Sequence, residues 1–263
     1  MLPTIPPEID PVWYYICVGG AILITGIAKA GFGGGIGILA LPLMAAVMPA
    51  NHMLGIMLPV LIAADALSSL HYLREWDWKR LIWLIVGALF GVLVGSVILW
   101  SLEQRSEEFL ATILALIVGS ICLIVILMQF YRLTGKELPT LPPHPASGTT
   151  IGFIGGAVST ISHSAGPIIT IYLLQEKLPK RLLVGTMLMY TLIINSVKVP
   201  PFVMLDVINE QTLRDSIWFI PLMPVGTLLG AWMNKRVPEK PFMIIMYVAA
   251  AAAAGHMVYK VLV

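Results

Sequence analysis

A small set of polar residues stands inside otherwise apolar stretches of this sequence. Lys29 opens KAGFGGGIG (29–37), where Gly33, Gly34 and Gly35 are consecutive. His163 lies in STISHSAGP (159–167) with Ser162, Ser164 and Gly166, and Asn195 and Lys198 share TLIINSVKVPP (191–201). Asp65 is alone among aliphatic residues in LIAADALSSLHY. Two lysines, an imidazole, hydroxyls and an amide are groups that hold an anion. An ionisable residue inside a membrane segment is a functional hypothesis by default. For Lys29 and Lys198 the competing account is a side chain that reaches out to the membrane interface, and for His163 a hydrogen-bonded core imidazole. Asp65 has three open roles: neutralising a lysine, capping a helix, or carrying a coupling proton, the last shared with His163. Asn195 is the better ligand for an anion, because a carboxylate repels one.

Other chemistries fit less well. No Lys-Ser/Thr follows the glycine run, so it is not a P-loop, and no strand precedes it, so it is not a dinucleotide fingerprint. His52, His71, His144, His163 and His256 are scattered without metal-ligand spacing. Cys17 and Cys122 lie in apolar segments and read as packing residues. No metal, cofactor or catalytic residue is expected. An intramembrane hydrolase would pair Ser162 or Ser164 with His163, but neighbours on one short helix rarely align as nucleophile and base.

The elements that position these residues are membrane helices. Of 263 residues 58% are hydrophobic and 11% charged, against roughly a quarter charged in soluble domains; the mean hydropathy is +0.90. An all-α polytopic membrane protein is expected, with lipid around it and no basic tract for nucleic acid. The N-terminus carries Glu8 and Asp10 and no basic residue, unlike a signal peptide. Apolar segments fall at about 12–31, 34–48, 53–73, 80–101, 109–131, 147–161, 165–176, 182–204, 214–233 and 241–261. Six are long enough to span (53–73, 80–101, 109–131, 182–204, 214–233, 241–261), since crossing takes about 20 residues. Basic loops at 74–80, 132–136, 177–181 and 234–240 are assigned to the cytoplasm by the positive-inside rule. The acidic N-terminus and loops 102–108 and 205–215 are assigned outside. The pairs 12–31/34–48 and 147–161/165–176 must then each act as a helical hairpin, at least partly re-entrant.

Two halves emerge, 1–131 and 147–263, joined by a cytoplasmic linker at 132–146. At an offset of 130, Gly26 meets Gly156, Pro49 meets Pro179, Gly55 meets Gly185, Met57 meets Met187 and Asp65 meets Asn195. After a five-residue insertion, Trp83 pairs with Trp218, Gly91 with Gly226 and Gly95 with Gly230. The halves enter from opposite sides, so the repeat is inverted, the build of secondary transporters with a midplane site at broken helices. In each hairpin the second helix starts at mid-depth, near Gly34 and near Ser164. Helix N-termini offer unpaired amides and partial positive charge, and two facing ends suit an anion. Alternating access would rock the halves about that site.

The stretches KAGFGGGIGILALPLM, STISHSAGPIITIYLLQEKLPKRLLVGT and NSVKVPP resemble the sulfite exporter TauE/SafE family over nearly the whole chain. The resemblance implies a bacterial inner-membrane permease for sulfite or an organosulfonate such as sulfoacetate. It also implies that Gly33, Gly34, Gly35, His163, Gly166, Thr186, Asn195 and Lys198 surround the anion. Ser164-Ala165-Gly166-Pro167-Ile168 departs from the Gly-Gly-Pro-Pro-like second tip of many relatives. Export of an anion needs no coupling ion where the cell interior is negative, whereas import does. A homodimer is the expected assembly on general grounds.

Overall fold

The computed structural model describes residues 3, 5–31, 40–135, 144–176, 178–236, 244, 248, 251–252, 254–255 and 259. Gly33, Gly34 and Gly35 lie outside the described residues, as do most of segment 241–261 and most of the linker. The described residues are helical, with no strand among them. The helices are α1 (Pro11–Gly31), α2 (Ala40–Ala45), α3 (Ala50–Ser69), α4 (Trp78–Glu103), α5 (Glu107–Leu133), α6 (Pro145–Ser162), α7 (Ala165–Gln175), α8 (Lys180–Met204), α9 (Glu210–Phe219) and α10 (Leu222–Arg236). A short 3-10 turn, Leu70–Tyr72, closes α3.

Among the described residues four helical stretches are long and apolar enough to cross a membrane: Pro11–Ala30, Asn51–Ser69, Trp78–Leu102 and Arg181–Met204. The helix ends follow local chemistry. Asp77 caps α4 by accepting from the Arg80 amide at 3.1 Å. Asn209 and Thr212 form a capping box that starts α9.

The expected continuous segment 214–233 is two helices instead. α9 begins earlier, at its capping box, and the chain turns at Ile220 and Pro221 before α10. Pro221 has no amide hydrogen and its ring crowds the carbonyl four residues back, which interrupts an α-helix. The second hairpin matches expectation: α6 ends at Ser162 and α7 starts at Ala165.

Packing crosses the two halves. α1 packs against α10, and α4 packs along α6. Both contacts are backbone-close and run through glycine. A Cβ on Gly91 would lie 2.1 Å from the Phe153 carbonyl oxygen, and one on Gly226 2.8 Å from that of Leu23. A Cβ on Gly230 would stand 2.5 Å from the Ile27 oxygen, and one on Gly95 3.2 Å from the Ala157 oxygen. Small residues permit this approach where lipid supplies no hydrophobic drive between helices. α3 and α8 pack against each other between these two pairs of helices.

Candidate functional site: a buried cavity at the broken hairpin

The site is assembled where α6 breaks. His163 terminates α6 in the left-handed conformation, φ 50°, with its amide donating to the Ser159 carbonyl at 3.0 Å. That region costs a non-glycine residue on the order of 1–3 kcal/mol and persists where surroundings over-determine it. Here both ring nitrogens are engaged. Nε2 lies 3.1 Å from the Leu54 carbonyl oxygen, and Nδ1 lies 2.9 Å from Lys198 Nζ. A carbonyl can only accept, so Nε2 carries the hydrogen. Nδ1 of the neutral ring is then the acceptor for the Lys198 ammonium.

Lys198 is fully buried. Its ammonium also donates to the Ser159 carbonyl and Oγ, both at 3.0 Å, and lies 5.9 Å from the Phe202 ring centroid. Three donors thus meet three protein acceptors, none of them a carboxylate. Lys29 and Asp65 by contrast form an ion pair, and Asp65 is fully buried. Thr191 Oγ1 donates to Asp65 Oδ1 at 2.8 Å and Asn195 Nδ2 to Oδ2 at 2.8 Å. Asp65 thereby balances Lys29, and the charge of Lys198 has no carboxylate in ion-pair contact among the described residues. In a low-dielectric interior such a charge acts over several ångströms.

Most of these groups line one cavity of about 60 Å³. Lys29, Asp65, His163, Ser164, Gly166 and Asn195 all line it. The first turn of α7 forms one wall with Ala165, Gly166 and Pro167. The first amides of a helix have no acceptor within the helix. Met57, Leu61, Met187 and Leu188 add apolar lining.

The remaining expected site residues stand elsewhere. Lys198 is one step behind the wall, reaching it through His163 and Ser159. Ser162 is fully buried and its hydroxyl donates to the Val158 carbonyl at 2.9 Å. Thr186 sits at the basic-loop end, where its Oγ1 accepts from the Asp77 amide at 2.9 Å and donates to the Leu182 carbonyl at 2.6 Å. Ser164 Oγ donates to the Ser162 carbonyl at 2.9 Å, so neither serine is hydrogen-bonded to His163 as a nucleophile to its base. Thr191, Ser159 and Thr25 also line the cavity. Thr191 is one helical turn from Asn195 and Thr25 one turn from Lys29, a spacing that places each pair on one helix face.

The sequence model of the sulfite exporter TauE/SafE family matches residues 18–257. No curated protein and no solved structure matches the chain at a significant level. The family match takes in both hairpin helices, the ion-paired Lys29 and Asp65, and the His163–Lys198 pair. The chain is a multi-pass membrane protein that belongs to the sulfite exporter TauE/SafE family.

Proposed function

We propose that the protein is a secondary transporter that moves sulfite or a small organosulfonate such as sulfoacetate outward across the bacterial inner membrane. The observation that carries this reading is the fully buried Lys198, which has no carboxylate in ion-pair contact among the described residues and stands behind a cavity whose Lys29–Asp65 pair is internally balanced. A bound anion would offset a positive charge there. The apolar lining of Met57, Leu61, Met187 and Leu188 favours an anion with a short alkyl chain, since pockets lined mainly by apolar groups orient ligands through a few polar ones. A potential of about 100 mV, negative inside, drives each negative charge outward with about 2.3 kcal/mol. Export is then possible without a coupling ion.

Alternating access is the mechanism we infer, with an inverted repeat behind it. Two observations support the repeat. Asp65 and Asn195, equivalent at the offset of 130, touch each other, as residues beside a pseudo-two-fold axis do. Gly91 abuts the Phe153 carbonyl as Gly226 abuts that of Leu23, and both members of each pair are related by the repeat offsets. Because each hairpin packs on the other half, the rocking bodies would be α1 and α2 with α10, and α6 and α7 with α4. They would move about α3 and α8, rather than as the two sequence halves.

A second reading, a proton-coupled importer, draws on the 2.9 Å contact between Lys198 Nζ and His163 Nδ1, across which a proton can be shared. A liposome flux screen of purified protein tests both, with sulfite, sulfoacetate, taurine, sulfate and thiosulfate. The export reading expects saturable, electrogenic flux of a sulfur oxyanion without a pH gradient. Flux that requires an imposed pH gradient favours the importer, and no binding to any of the five by folded protein overturns the anion site.

A further inference from the structure

A second cavity, of about 290 Å³, lies at the end of the molecule formed by the α4–α5 and α8–α9 connections. Asn51, Leu54, Arg105, Leu205, Asp206 and Asn209 are among its lining residues. It is continuous in register with the first cavity. On α3, Asn51 and Leu54 line the second cavity, and Met57, Leu61 and Asp65 line the first. Steps of three and four residues keep all five on one helix face. On α8, Thr191 and Asn195 line the first cavity, and Leu205, the residue that ends the helix, lines the second, with Lys198 and Phe202 between them on the same stripe.

The partition between the cavities is thin and consists of identified contacts. Leu54 lines the second cavity, and its carbonyl accepts from His163 Nε2, which lines the first. Phe202 packs near the His163 ring, centroids 6.0 Å apart, and lies under the Lys198 ammonium. Lys198, fully buried and with no carboxylate in ion-pair contact among the described residues, therefore stands at the boundary between the two spaces.

Arg105 is exposed at the second cavity, and no described residue hydrogen-bonds or ion-pairs with its guanidinium. A guanidinium offers forked donors that match an oxyanion. Asp206 lines the same space, and its carboxylate is 3.5 Å from Asn209 Nδ2. Cation and carboxylate offset each other there, so an anion in this cavity would be held only weakly. A transit station needs that property, because an ion must enter and also leave.

We propose that this second cavity is a weak anion station, held by Arg105 with Asn51, through which the transported oxyanion passes between the partition at His163 and the water beyond the α4–α5 and α8–α9 connections. The proposal rests on the transport reading of the first cavity. The expected order of sites is the midplane cavity, the His163–Leu54 partition beside Lys198, then Arg105.

The test combines position and flux. In crystals soaked with selenite, the heavier analogue of sulfite, anomalous scattering is expected at both cavities in the wild type. Arg105→Gln should lose the outer peak and keep the midplane one, Arg105→Lys should keep both, and Asp206→Asn should strengthen the outer peak. In liposomes at zero membrane potential, Arg105→Gln should lower sulfite flux at subsaturating concentration about fivefold. The loss should be equal in both directions, because a passive carrier has the same kcat/KM at its two faces. Arg105→Lys should stay within about twofold of wild type. A wild-type midplane peak without an outer one, or wild-type flux in Arg105→Gln, overturns the station. No peak at either cavity and no wild-type flux removes the transport reading as well, which distinguishes the two failures.

Discussion

The amide of Asn195 donates to the carboxylate of Asp65 at 2.8 Å, joining residues 130 positions apart on two antiparallel helices. The contact explains the position of both. An isolated carboxylate cannot remain ionised in an apolar interior without partners, and Asp65 has three: Lys29, Thr191 and Asn195. It also ties α3 to α8 on the wall of the cavity.

Removing one partner of the Lys29–Asp65 pair should be far worse than removing both. Lys29→Met leaves a buried carboxylate without its counter-charge and is expected to lower stability by about 3–5 kcal/mol. Adding Asp65→Leu should recover most of that loss. Thermal unfolding of the wild type, the single variant and the double variant in detergent measures it, and equal losses in the single and double variants would show that the pair is not the relevant unit.

Lys198→Met removes the buried ammonium while keeping a flexible side chain of similar length. Binding of the transported anion is expected to fall at least about tenfold, or about 1.4 kcal/mol. Titration calorimetry on monodisperse protein reads this directly. Undiminished affinity would remove Lys198 from the electrostatic account.

The glycine contacts predict matched sensitivity at sites distant in sequence. Gly91→Val and Gly226→Val each force a side chain against a facing backbone carbonyl. Overpacking of this kind costs about 1–3 kcal/mol, occasionally more. Both variants should lower the unfolding temperature. A large loss at Gly91 with none at Gly226 would argue against equivalent helix pairs.

At the basic-loop end, Asp77 and Arg80 form an ion pair and Arg80 Nε reaches Glu176 Oε2 at 2.6 Å, joining α4 to the end of α7. Partial burial by itself would raise the Asp77 carboxyl, but hydrogen bonds from the Arg80 amide and guanidinium outweigh it and hold the group below its ordinary value. A carboxyl lowered in the folded state contributes stability above its unfolded value and loses it as pH falls through the folded one. The difference in unfolding temperature between wild type and Asp77→Asn should therefore be constant from about pH 5 to 8 and shrink below about pH 4. A difference that widens on acidification would contradict this sign.

Much of this was readable from local patterns. The membrane class follows from an apolar content that no water-facing surface could accommodate. The break between α6 and α7 follows from Ser162-His163-Ser164-Ala165-Gly166-Pro167, where small, hydroxyl-bearing and proline residues disfavour a continuous helix. The polar residues that form the site were visible as exceptions in greasy segments, and Lys29, Asp65, His163 and Asn195 do line one cavity. The split at Pro221 was also present in the sequence, but averaging hydropathy over a whole segment conceals a single residue without an amide hydrogen.

The tertiary structure decided what each of those residues touches. Nothing local distinguishes Lys29 as the partner of Asp65 from Lys198, because the choice depends on how α1, α3 and α8 pack. Nothing in the Val-Gly-Thr stretch shows Thr186 tying α8 to the Asp77 amide while Asn195, farther along the same helix, faces the cavity. Burial of Lys198 behind His163 follows from the left-handed end of α6 meeting α8 across the fold. Local sequence determines which groups are polar, apolar or helix-breaking, since those are properties of residues and their immediate neighbours. Which charge is balanced and which is left for a ligand is a sum over contacts between distant helices, and only their packing sets it.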